Sequence, residues 1–191
     1  IMSFANPLGI GICSEGEYFD IELKHPISSE EAVSRLNKAM VEGMEVISFR
    51  QIADEKKMTG MAILAAADYL LQLQEQMLPD SWVEQIPAFL EQSQIPILKQ
   101  TKRSEKEVDI KPLIYKMEAR ENGIYMQLAA GSVENLKPGL VMEAFCKFLG
   151  MENSIPPYIL WRLEMYAHDE TASGSSFISL ENLGWEIKTT N

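Results

Sequence analysis

An Asn-Gly pair between two alternating runs is the feature of this sequence that most restricts its fold. Residues 115–120 and 124–128 each alternate apolar with polar side chains, which is the pattern of a half-buried strand. Asn122 and Gly123 separate the two runs, and this dipeptide readily adopts the positive φ angles of a tight type I′ turn. The sequence therefore predicts a β-hairpin, and with it a sheet that contains antiparallel pairing.

Strand and helix patterns surround this hairpin in a regular order. Before it we expect a strand from about residue 66 to 73, a helix that opens at Ser81, and an edge strand over 95–98. After it we expect a helix over 138–150 and a strand over 160–167. This order is typical of a ferredoxin-like α+β sandwich, in which two helices cover one face of an antiparallel sheet.

The first part of the chain repeats half of that order. A strand over 17–23 alternates, Ser28 and Glu31 form a capping box that opens a helix, and strand formers at 44–49 predict a second strand. We therefore predict an α+β fold of tandem ferredoxin-like sandwiches, the first unit incomplete, with antiparallel sheets and helices on one face.

The expected domain boundaries follow from these elements. Residues 1–58 form the C-terminal part of a first ferredoxin-like unit, 59–168 form the second unit, and 169–191 form a flexible link and a C-terminal tail. Apolar residues of the tail, such as Trp185, are able to pin it to the body. Because the chain opens on Ile1 inside an apolar stretch, we also expect that an N-terminal segment is missing.

Composition places the chain among folded, acidic proteins. It has 191 residues with 17 Lys and Arg against 28 Asp and Glu, a formal charge of −11, and 46% hydrophobic residues. The acidic balance disfavours nonspecific nucleic-acid binding by the whole surface. Two cysteines far apart suit a reducing cytoplasm, and no apolar run reaches the roughly 18 residues of a membrane helix.

Patterns that would carry catalysis or bind a metal are missing from the sequence. A strand pattern, not a helix, follows Gly9-Ile10-Gly11, so this segment fits a turn better than a phosphate-binding loop. Neither Cys13 nor Cys146 has a partner at metal-ligand spacing, and His25 and His168 are far apart. We therefore expect no catalytic residue, no metal and no cofactor.

One acidic pair leaves an enzymatic alternative open. Asp20 and Glu22 share a face of the first predicted strand and are close enough to act as a general acid and base. Any solvent-facing strand shows the same alternation, so an ordinary surface is the commoner explanation of the pair.

Positive residues cluster between residues 99 and 120. Seven Lys and Arg face four acidic residues there, which gives the window a charge of +3. We predict that part of this cluster, with a tyrosine of the hairpin for base stacking, binds nucleic acid or a partner. The predicted residues are Lys99, Lys102, Arg103, Lys106, Lys111 and Tyr125. The alternative is a solvated charged loop, since interleaved Glu residues dilute the field.

The sequence resembles a bacterial family known as radical-SAM-linked proteins, a domain of unknown function. The resemblance rests on the motifs at residues 1–11 and 14–23, on a second region at 106–114, and on Ala130-Gly131-Ser132. It spans most of residues 1–168. The motif residues that we single out are Ser14, Glu15, Gly16 and Asp109.

The resemblance implies a partner and no demonstrated activity. Proteins of that family are encoded beside, or fused behind, a radical-SAM enzyme with a cobalamin-type domain. Our leading hypothesis is a non-catalytic cytoplasmic accessory protein that docks to such an enzyme and presents or binds its substrate, with RNA as the candidate. The alternative is a stand-alone RNA-binding or RNA-processing domain, an inference from fold analogy.

Overall fold

The structure is a computed structural model that describes residues 2–54, 59–73, 77–100, 105–121, 123–152, 154–172 and 176–188. The helices are α1 (Ser29–Asn37), α2 (Gly60–Ile63), α3 (Trp82–Glu91) and α4 (Pro138–Phe148). The strands are β1 (Met2–Phe4), β2 (Ile12–Ser14), β3 (Phe19–Ile21), β4 (Leu64–Leu73), β5 (Pro96–Gln100), β6 (Glu105–Asp109), β7 (Ile114–Arg120), β8 (Gly123–Ala129), β9 (Tyr158–His168) and β10 (Phe177–Ser179). The α+β class with antiparallel sheets is confirmed.

The main sheet is built around β4. Its order is β10-β9-β4-β8-β7, and every neighbouring pair along this path is antiparallel. Two short strands share the edge of β9 that faces away from β4: β2 pairs in parallel with residues 160–162, and β10 pairs with residues 166–168. Segments from near both ends of the described chain therefore meet on one strand.

One face of this sheet forms the hydrophobic core under α3 and α4. Alternation along β4 directs Ala67, Tyr69 and Leu71 to that face, where they join the apolar stripes of both helices. The ring of Phe89 in α3 packs edge-on against Phe145 in α4, with centroids 5.1 Å apart. Both α3 and α4 therefore lie on the core side of the sheet, and among the described helices neither of these two covers its other face.

The predicted hairpin is confirmed, but its turn is shifted by one residue. Arg120 pairs with Gly123, so the connection consists of residues 121 and 122, and Asn122 lies outside the described residues. Gly123 is the first residue of β8 and approaches β4: an added Cβ would lie 2.0 Å from the carbonyl oxygen of Leu71. A glycine is needed at this position because β4 approaches closely, and the residues of the turn itself do not predict that contact.

The predicted strand at 44–49 is wrong. Residues 45–50 have no regular structure, because the side chain of Asn37 occupies the backbone groups that a ladder would use. Its amide donates to the carbonyl oxygen of Val46 at 2.9 Å and accepts from the Val46 amide at 2.7 Å. Strand propensity alone did not outweigh this local pairing.

The predicted edge strand at 95–98 exists but belongs to another sheet. It is part of β5, which pairs only with β6 in a separate two-stranded sheet. The position beside β8 in the main sheet is filled by β7 instead. The residue pattern predicted the strand correctly, but the alternation of side chains along a strand does not tell which sheet the strand joins.

The tail is attached to the body at several points. Besides β10, the backbone of Trp185 exchanges two hydrogen bonds of 2.9 Å with Gln51, and Leu180 is buried. The link at 173–175 lies outside the described residues. The division at residues 58 and 168 stays a prediction, although β2 and β10 both contact β9 across it.

None of the described helices combines the length and the apolar character that crossing a bilayer requires.

We expect Gly123→Ala to destabilise the protein by more than about 3 kcal/mol, because a Cβ there meets the backbone of Leu71 and φ is +152°. The matched control is Gly11→Ala, where φ is +83° and nothing lies within 4 Å of the added atom. That control should cost only about 1 kcal/mol. Urea unfolding of both variants measures the difference, and equal losses would contradict the close approach.

Candidate functional site

The family-motif residues Ser14, Glu15 and Gly16 lie against β9. The Glu15 amide donates to the carbonyl oxygen of Arg162 at 2.9 Å, and the Ser14 hydroxyl donates to Glu17 at 2.6 Å. A Cβ on Gly16 would lie 2.8 Å from the carbonyl oxygen of Leu163. The motif therefore specifies a segment that fits closely onto the strand.

An ion pair between the buried guanidinium of Arg162 and the partly exposed carboxylate of Glu17 completes this attachment. The Arg162 side chain is only 4% exposed, and its Nε and Nη2 donate to the two carboxylate oxygens of Glu17 at 2.7 and 2.5 Å. Nη2 also donates to the carbonyl oxygen of Asn6 at 2.8 Å. Burial lowers the pKa of Arg162, but the Glu17 carboxylate outweighs it and raises the pKa above the usual value. The geometry gives this motif a structural role.

Asp109, the last motif residue, fixes the base of the β5–β6 hairpin, which we call the basic arm (residues 96–109). One of its carboxylate oxygens accepts from the amides of Ile95 at 2.8 Å and Lys111 at 3.0 Å. The Lys111 ammonium donates to the carbonyl oxygen of Gln92. Lys111 therefore anchors the arm to the end of α3, whereas the sequence predicted a binding role for it.

The pairing register of the basic arm assigns its lysine positions and its glutamate positions to different faces. Lys99 stands opposite Lys106, whereas Leu98 stands opposite Glu107 and Gln100 opposite Glu105. Since alternate positions belong to opposite faces, positions 99 and 106 share one face and the two acidic positions belong to the other. Positions of opposite charge that interleave along the sequence therefore fall on opposite faces of the arm in this register. Lys102 and Arg103 lie outside the described residues.

The solvent exposure of its described side chains shows which part of the arm contacts the rest of the protein. Ile97 and Val108 are opposite each other and half-buried, and Ile97 packs against the core. Lys106, two positions from Val108, is exposed, and Leu98 on the other face is 66% exposed. Ile97 therefore holds the base of the arm, and the described side chains of Leu98 and Lys106 beyond it are exposed.

Tyr125 lies on the main sheet and not on the arm. Its side chain is on the sheet face opposite α3 and α4, yet the residue is only 6% exposed. The guanidinium of Arg120 lies over its ring at 3.9 Å from the centroid, and the Lys116 ammonium lies 5.5 Å away. The structure therefore does not bring Tyr125 together with the lysines of the arm.

A polar cluster beside Tyr125 was not found by sequence reasoning. Asp68 in β4 is 7% exposed and accepts from the Gln127 amide at 2.9 Å and the Tyr166 hydroxyl at 2.7 Å. Burial raises the pKa of Tyr125, and the nearby Asp68 carboxylate raises it further. Burial raises the pKa of Tyr166, and the Asp68 carboxylate raises it further. In the sequence, this cluster is indicated by Asp68, an acidic residue inside the apolar run of β4.

Asp20, one member of the predicted acidic pair, has a structural contact. Asp20 accepts from the Gly60 amide at 2.9 Å and so holds the start of α2. Within the described ranges, no three His, Cys, Asp or Glu side chains are grouped to hold a metal ion.

These features define an antiparallel α+β protein with a basic arm and a polar face on its main sheet. A family model described as an uncharacterized protein conserved in bacteria (DUF2344) matches residues 1–138, and the chain belongs to this family. The match includes the motif residues at 14–16 and at 109, and the whole basic arm. No curated protein and no solved structure matches the chain.

We expect Glu17→Ala to lower the free energy of unfolding by about 3 kcal/mol, because it leaves the buried Arg162 guanidinium without its carboxylate. The control is Glu15→Ala, which removes an exposed carboxylate from the same segment and keeps the backbone hydrogen bond of residue 15. Denaturant unfolding checks both, and a loss below about 1 kcal/mol for Glu17→Ala would contradict a structural role for the pair.

Proposed function

We propose that this protein is a non-catalytic accessory protein of a radical-SAM enzyme, and that it binds RNA through the basic arm and presents it to that enzyme. The enzyme partner is supported by the sequence resemblance described above. RNA binding is supported by one observation in particular, the register that places positions 99 and 106 on one face of the arm. The two parts of the proposal have separate tests.

Electrostatics favours a polyanionic partner for the arm. Like charges directly opposite each other in an antiparallel pair cost roughly 0.2–1 kcal/mol, and a two-stranded hairpin is only marginally stable by itself. Lys99 and Lys106 are nevertheless opposite, with Lys102 and Arg103 in the connecting sequence. A phosphate backbone bound there would relieve this repulsion.

The rest of the surface would direct RNA to the arm. The chain as a whole carries −11, so the body repels a polyanion while the arm attracts it. The two free cysteines fit a reducing compartment, and the proposal places the protein in the cytoplasm.

The strand order supports a ferredoxin-like unit in residues 59–168. The elements follow as β4, α3, β7, β8, α4 and β9, and their order in the sheet is β9-β4-β8-β7, with all neighbours antiparallel. This order supports a split βαβ arrangement with the basic arm inserted after its first helix. We propose that residues 1–58 belong to an incomplete second copy, for which β1, β3 and α1 are the available elements. RNA binding by such folds remains an analogy.

A stand-alone RNA-binding or RNA-processing domain is the alternative, and the same arm supports it. The two functions differ in whether the protein binds a radical-SAM enzyme, so a test for that binding distinguishes them.

Neutralising the arm should weaken RNA binding and flatten its salt dependence. The logarithm of the binding constant decreases linearly with the logarithm of the salt concentration, and each single-strand phosphate contact contributes about 0.7 to the size of this slope. For Lys99→Ala with Lys106→Ala we therefore expect the slope to become smaller in magnitude by about 1.4. Fluorescence anisotropy with a labelled single-stranded RNA at several KCl concentrations measures this. Lys102→Ala with Arg103→Ala should act in the same direction.

The matched control for this experiment is Lys24→Ala with Lys38→Ala, which removes the same charge from exposed positions elsewhere. It should leave the slope almost unchanged. Equal effects of both pairs, or unchanged binding by the arm variants, would reject the arm as the RNA site.

The accessory role is tested by co-purification of the full-length protein with the radical-SAM enzyme encoded beside it. We expect a complex that survives gel filtration at micromolar concentration. Absence of association at that concentration, together with salt-dependent RNA binding, would reject the accessory role in favour of the stand-alone function.

A further inference from the structure

A groove of about 520 Å³ opens on the face of the main sheet opposite α3 and α4. Its walls and floor combine aromatic and polar side chains from β7, β8 and β9 with residues at the start of β10. The lining residues are Tyr115, Gln127, Tyr166, Ser176 and Phe177. Gln127 and Tyr166 are two of the residues that donate to Asp68, so the groove lies directly beside the buried carboxylate.

The hydrogen bonds to Asp68 decide what the floor of the groove can bind. An ionised carboxylate only accepts, so Gln127 gives it an amide N–H and Tyr166 gives it the hydroxyl proton. The amide oxygen of Gln127 and the lone pairs of the Tyr166 oxygen keep capacity to accept. The floor therefore selects a ligand that donates hydrogen bonds.

The charge balance around Asp68 favours a cation. Among the described residues, the groups that donate to Asp68 are one amide and one hydroxyl, both of them neutral. Arg120 and Lys116 are the described cations over the neighbouring Tyr125 ring, and both are paired with Glu118, at 3.2 and 2.8 Å. A buried carboxylate with neutral partners attracts positive charge strongly because the surroundings screen it poorly.

The aromatic walls favour a flat group. The rings of Tyr115 and Phe177 meet with centroids 4.9 Å apart, and His168 stacks on Phe177 at 5.4 Å with an interplanar angle of 29°. Tyr115 is 37% exposed, so its ring is accessible at the rim. Arg120 over Tyr125 shows that this face already accommodates one guanidinium stacked on a tyrosine.

We propose that this groove binds a guanidinium group, such as the side chain of an arginine on a partner polypeptide. A guanidinium is planar, always charged and rich in N–H donors, so it matches the aromatic walls, the carboxylate and the accepting floor together. An ammonium group offers the charge without the flat stacking surface. The proposal is independent of RNA binding by the arm.

The test uses arginine blocked at both ends as the probe and blocked citrulline as its neutral isostere. Two-dimensional NMR of the full chain should show shifts at residues lining the groove, with arginine binding at least about tenfold more tightly than citrulline. Asp68→Asn should reduce arginine binding by about tenfold or more and bring it close to that of citrulline.

A second variant keeps the proposal testable if Asp68→Asn does not fold. Tyr115→Ser removes a partly exposed wall and should also weaken arginine binding by several-fold. Lys99→Ala with Lys106→Ala should leave it unchanged, which separates this site from the proposed RNA surface. Equal binding of arginine and citrulline, preference for blocked lysine or for adenosine, or shifts confined to the basic arm would each overturn the proposal.

Discussion

The buried guanidinium of Arg162 is the constraint on which the arrangement of the chain depends. A positive charge that is almost fully enclosed needs a carboxylate, and Glu17 supplies one in bidentate geometry. This requirement fixes the segment of residues 14–17 against β9 and allows β2 to add to the edge of the main sheet. The contacts of the family motif therefore attach residues 14–17 to β9.

The sequence predicted those parts of the fold that depend on neighbours in the chain. The hairpin, α3, α4 and β9 all follow from alternation, helical spacing and turn residues, and each lies within a few residues of its expected position. The predictions failed where a distant group decides the outcome. Asn37 replaces strand pairing at Val46, and Leu71, remote in sequence, is what makes Gly123 necessary.

The candidate sites also have parts that the sequence predicted and parts that depend on residues distant in the chain. The positive cluster was visible in the sequence, but the separation of its lysines from its glutamates depends on which residue of β5 faces which residue of β6. Asp68 gave only the weak signal of one acidic residue in an apolar run, because its partners Gln127 and Tyr166 come from two other strands. The two proposed sites would have opposite preferences, since anion binding is proposed for the arm and cation binding for the groove.

The outer edge of β9 is shared by β2 and β10, three residues each. An edge strand with free N–H and C=O groups is a template for pairing with another molecule, and here two short additions from opposite ends of the described chain cover it. Trimming either end would leave half of that edge bare. Shortened versions of this protein are therefore expected to aggregate through β9 before they lose their core.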